Sequence, residues 1–101
     1  MENEIFFASA TLKGEEEISL DYYMVCDSIG GEYCNLMGYG VRVEKTVLKR
    51  GGGKIVDSKQ INNIFYSRAE AEKFLKLIVR NGVSPITLME VVEDYIISDI
   101  A

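Results

Sequence analysis

The residues of this 101-residue chain that could do chemistry are two cysteines, a run of three glutamates, six tyrosines, two glycine clusters and one basic stretch, with no histidine to assist them. Cys26 and Cys34 have seven residues between them, too few ligands for a zinc site and too wide a spacing for a CxxC redox motif. They could still meet across a hairpin. A reversal through Ile29-Gly30-Gly31 sets Cys26 opposite Cys34, whereas a tighter one through Gly30-Gly31 sets it opposite Asn35. In a reducing compartment the default is two free thiols acting as small apolar residues.

Glu15, Glu16 and Glu17 are consecutive carboxylates beside Lys13-Gly14. They repel one another and lack the alternating ligands of a calcium loop, so they read as a solvated turn. Met37-Gly38-Tyr39-Gly40 and Gly51-Gly52-Gly53 lack the lysine and hydroxyl of a phosphate loop. Gly38 and Gly40 share a strand face, which points to a bend, a bulge or a close crossing by another group. The triple glycine reads as a hairpin tip. Tyr22, Tyr33 and Tyr39 could line a small-molecule cleft beside these glycines, although tyrosines at alternate strand positions more often pack in a core.

From Arg42 to Lys59 six basic residues stand against two acidic ones, a net of +4 in a chain whose overall charge is -5. On a hairpin, lysines of this kind protect exposed edges, and the acidic balance elsewhere argues against nucleic acid or an anionic membrane as partner. No catalytic, cofactor-binding or metal-binding residue is assigned. The common reaction classes draw on a nucleophile beside a base or on a ligand cluster, and the chain has neither.

With 48% hydrophobic and 27% charged residues and a single proline, the composition is that of one globular domain over residues 1–101. No apolar run has the ~18 residues a membrane span needs. MENEIFF is acidic where a signal peptide would be basic, so a cytoplasmic protein is expected.

Ile5 to Leu12 reads as a strand, and Ile18 to Asp27 alternates, with Ile18, Leu20, Tyr22, Met24 and Cys26 on one face. The chain returns through Tyr33 to Lys49, with Tyr39, Val41, Val43 and Val47 on one face. Lys54 to Ser58 follows the triple glycine, and Gln60 to Tyr66 joins the sheet to a helix, tucking Ile61, Ile64 and Phe65 beneath it.

That helix is the best-marked element. Ser67 and Glu70 form a capping box, Ala71, Phe74, Leu75 and Ile78 make a buried face flanked by Leu77 and Val79, and Asn81-Gly82 closes it. Its polar rim is Glu72, Lys73, Lys76 and Arg80. A second helix is predicted from Ser84 as cap and Pro85 as first residue, after a linker of two or three residues. It would bury Leu88, Val91, Val92, Tyr95 and Ile96, and leave Ile97 on its acidic side. Tyr23, Val25 and Leu48 are candidates for an outer apolar patch with Ile97.

Tyr39-Gly40-Val41-x-Val43-Glu44-Lys45, then Arg80-Asn81-Gly82-Val83-Ser84-Pro85 with Leu88 and Val92-Glu93-Asp94-Tyr95, resembles an uncharacterised family of short proteins from clostridia and related Firmicutes. The resemblance covers most of the chain from about Tyr22 onward. It implies a bacterial single α+β domain of unassigned function and carries over no functional residue.

The fold expected is α+β: an antiparallel sheet of about four strands followed by two C-terminal helices packed on one face, β-β-β-β-α-α. The function expected is a small non-enzymatic protein-interaction or regulatory module, acting on a protein partner or by self-association as a homodimer. The alternative is a small-molecule-binding domain with the tyrosine-lined cleft.

Overall fold

The computed structural model describes the backbone of residues 2–28 and 36–100 and the side chains of 3–28 and 36–97. Four antiparallel strands, β1 (Glu2–Lys13), β2 (Glu17–Ser28), β3 (Met37–Leu48) and β4 (Lys54–Phe65), lie in chain order, each beside its predecessor. Two helices follow, α1 (Arg68–Arg80) and α2 (Leu88–Ile100), and they cover one face of the sheet. The expected β-β-β-β-α-α arrangement is therefore the one found.

Alternation decides which face is covered. Leu20, Tyr22, Met24 and Cys26 of β2 and Val41 and Val43 of β3 point the same way and are all buried. Against them α1 sets Ala71, Phe74, Leu75 and Ile78, and α2 adds Leu88 and Val92. Phe65, Phe74 and Tyr95 join β4, α1 and α2 in an aromatic knot with ring centroids 4.9 to 5.8 Å apart. Ile61 and Ile64 pack at its margin, as expected.

The helix α1 starts where its cap chemistry places it. The Glu70 amide donates to Ser67 Oγ at 3.4 Å. At the other end Gly82 has φ +61°, its amide donates to Val79 O, and the Val83 amide donates to Ile78 O at 3.0 Å. This is the pairing of a Schellman stop, and it folds Val83 into the core beside Ile78. The Tyr22 hydroxyl reaches the same turn, donating to Val83 O at 3.0 Å.

Three sequence expectations are corrected. The second helix begins at Leu88, not Pro85, because residues 85–87 form a turn in which Thr87 Oγ1 bonds Ser84. The linker is correspondingly longer than two or three residues. The fourth strand continues through Gln60 to Phe65 where a joining segment was expected. Asn62-Asn63 hid it, since asparagine is depleted in strands. Here the pair forms a bulge: Val41 pairs with Ile61 and Tyr39 with Phe65, leaving residues 62–64 opposite Gly40, with Asn63 at φ 53°.

The β2–β3 register is the third. Asp27 pairs with Gly38 and Cys26 with Tyr39, so neither hairpin loop through Gly30-Gly31 gives the register found. Among the described residues the return strand runs over Met37–Leu48. Cys34, Tyr33 and the reversal itself lie outside the described residues.

Candidate docking face

With both helices on one side, no helix among the described residues covers the other face of the sheet. Its side chains come from the alternate positions: Phe6 and Glu4 of β1, Tyr23 and Asp21 of β2, Arg42 and Glu44 of β3, and Ser58 of β4. The register puts Phe6 beside Tyr23 and Tyr23 beside Arg42, one lateral row across three strands.

This row is a built cluster. The Arg42 guanidinium lies 4.2 Å from the centroid of the Tyr23 ring, and Phe6 meets the same ring edge-on at 5.6 Å. Arg42 donates to both oxygens of Glu4, Nε to Oε2 at 2.7 Å and Nη2 to Oε1 at 2.8 Å. A third donor, Nη1, reaches Glu44 Oε2 at 2.7 Å and Ser58 Oγ at 3.4 Å. The fork geometry of arginine suits this bidentate grip, and the hydrogen bonds to Glu4 above all raise the guanidinium's pKa beyond its ordinary value. Partial burial raises the Tyr23 phenol, helped by the carboxylates of Asp21 and Glu44 and opposed by Arg42. Phe6 stays 57% exposed on top of this arrangement.

At the far end of the same face the β4 bulge crosses the backbone of β3. A Cβ on Gly40 would collide with the Ile61 carbonyl and Asn62 Cα, and one on Gly38 with the Asn63 amide group. The two glycines are thus where a neighbouring strand of the same chain closes in, one of the readings their spacing allowed. Val25, which pairs with Gly40, is only 1% exposed and cannot join an outer patch. Nor does Ile97, 65% exposed on α2, share a face with Tyr23.

The other candidate residues fall apart. Tyr22 is fully buried in the core with its hydroxyl spent on Val83, and Tyr39 packs against that core, so these two do not wall an open cleft. Glu15, Glu16 and Glu17 are exposed at the β1–β2 tip. Glu15 and Glu17 share a cleft of about 490 Å³ with Lys49 and Arg50 of the β3–β4 tip. With Arg42 neutralised by Glu4 and Glu44 and Lys45 registered against Asp57, the basic stretch is broken up by carboxylates.

Sequence reasoning placed Arg42 in that basic stretch and missed its cluster. The Arg42, Glu44 alternation on one face was a visible signal, but Glu4 is 38 positions away and needs the register of two strand pairs to reach it.

The profile of a family of unknown function (DUF6514) matches residues 1–98, and the chain belongs to that family. The match includes β1, which the sequence resemblance from Tyr22 onward did not. No curated protein and no solved structure matches the chain. No helix among the described residues is long and apolar enough to cross a membrane.

Proposed function

We propose that this member of the family is a small non-enzymatic interaction module of the cytoplasm, docking a protein partner on the helix-free face of its sheet around Phe6 and Tyr23. The observation that supports the reading is the exposed Phe6 ring held edge-on to Tyr23, whose own ring lies against an arginine with all three nitrogens already engaged by Glu4, Glu44 and Ser58. Aromatic side chains fixed in this way present apolar area at little further cost in conformational entropy, and such anchors dominate protein interfaces. The ion pairs around them form the polar rim that fixes orientation.

The test compares tagged wild-type protein with Phe6→Ser in a pull-down from the native cell extract washed at high salt. A protein retained by the first and absent from the second supports the reading. Identical retention by both, with both folded by circular dichroism, removes it.

A further inference from the structure

The solvent side of the helical layer carries charge of opposite sign on its two helices. On α1, Lys73, Lys76 and Arg80 follow at i, i+3 and i+7, opposite the buried face of Ala71, Phe74, Leu75 and Ile78. On α2, Glu90, Glu93 and Asp94 surround the exposed Ile97, opposite buried Leu88 and Val92. None of these six charged groups has an ion-pair partner among the described residues, although the same chain pairs Arg42 with Glu4 and Glu44, and Arg68 with Glu72. Like charges three and four positions apart on a helix repel, so each row is mildly unfavourable in the isolated protomer.

Between the rows runs a groove. One part, about 300 Å³, is lined by the three α1 cations with Leu77 and Tyr95, and the adjoining part, about 250 Å³, by Leu77, Val91, Asp94 and Tyr95. Its basic wall is the α1 row, its floor is Leu77, Val91 and Tyr95, and from the acidic row Asp94 lines it.

We propose that this surface binds a second copy of the same chain, helical layer against helical layer, about a two-fold axis along the groove. Rotation about such an axis sets α1 of one protomer over α2 of its partner and, by the same operation, α2 over α1. Each cationic row then meets an acidic row, with Ile97 brought against the aliphatic stems of the opposing lysines and arginine, and the two grooves face each other. A closed two-fold contact must be self-complementary, and one positive and one negative row side by side is the simplest pattern that satisfies this. A foreign acidic or basic partner would answer only one of the two rows. The sheet faces point away from the contact, so the Phe6–Tyr23 cluster remains free, and the dimer stands or falls independently of the docking reading.

The experiment is sedimentation equilibrium of the full chain and two charge-reversed variants. The wild type is expected at twice 11.3 kDa, dissociating as salt is raised. Lys73→Glu with Lys76→Glu and Arg80→Glu, and separately Glu90→Lys with Glu93→Lys and Asp94→Lys, are each expected as monomers of native circular dichroism. Mixed, the two variants should return to the dimer mass, since reversed α1 meets reversed α2 and unaltered α2 meets unaltered α1. A monomeric wild type at every concentration, variants that remain dimeric, or folded variants that fail to recombine would each overturn the proposal. Phe6→Ser should leave the mass unchanged.

Discussion

The two faces of the sheet are built from the same four strands and solve opposite problems. The covered face is apolar and closed, with Tyr22, Val41 and Val43 fully buried beneath Phe74, Leu75 and Ile78. The open face places its arginine, carboxylates and two aromatic rings where water can reach them, and orders them by charge and ring geometry. Stability therefore resides on one side of the sheet, and the freedom to vary chemistry on the other. A substitution's cost should follow the face its side chain points to more closely than its strand.

Phe74→Ala, which empties the centre of the aromatic knot, should cost about 4 kcal/mol in denaturant unfolding. A loss near zero would mean that the helices contribute little to the covered face. Gly40→Ala is the exception that sharpens the rule, because it lies on the open face yet meets backbone there. It should cost about 3 kcal/mol by displacing the β4 bulge, with altered amide shifts at Ile61 and Asn62. Gly51→Ala, whose Cβ would meet nothing within 4 Å, should be close to neutral.

Tyr22→Phe removes one buried donor and leaves the Val83 carbonyl without it, a loss of about 1 kcal/mol. It also carries a pH signature. Burial raises the Tyr22 phenol above its ordinary value of 10.0, so above that pH the unfolded chain sheds a proton that the folded one keeps. Stability is full below the unfolded pKa and falls as pH rises through the folded one. Alkaline titration of unfolding should show a shallower decline in Tyr22→Phe than in the wild type.

A smaller effect than that of Tyr22→Phe is expected at the centre of the open face. Arg42→Ala should lower stability by only about 0.5 kcal/mol, and less in 1 M salt, since its ion pairs are partly solvated. A loss as large as that of Phe74→Ala would show that the open face also holds the fold together.

Much of the covered face was legible because alternation and helical periodicity are local. Leu20, Tyr22, Met24 and Cys26 could be assigned to one side from β2 alone, and Ser67 and Gly82 bounded α1 without reference to the sheet. The open face was not, since its cluster joins residues of three strands whose registers depend on a bulge at Phe7 and on where β3 begins. Pairing Cys26 with Tyr39 rather than Cys34 is the same lesson: a hairpin's loop length cannot be read from its glycines alone. Pro85 misled for a different reason. It suits the first turn of a helix, but Ser84 and Thr87 bond each other and hold a separate turn there.

Strand order matching chain order has a consequence for synthesis. Each strand can add to the one before it as it leaves the ribosome, by hairpin closure between sequence neighbours. The helices cannot act until residues beyond Arg68 exist, and the Tyr22 hydroxyl waits for a carbonyl 61 positions further on. A nascent sheet would therefore hold its apolar face open to water, a surface for which chaperones and neighbouring chains compete until α1 and α2 arrive to close it.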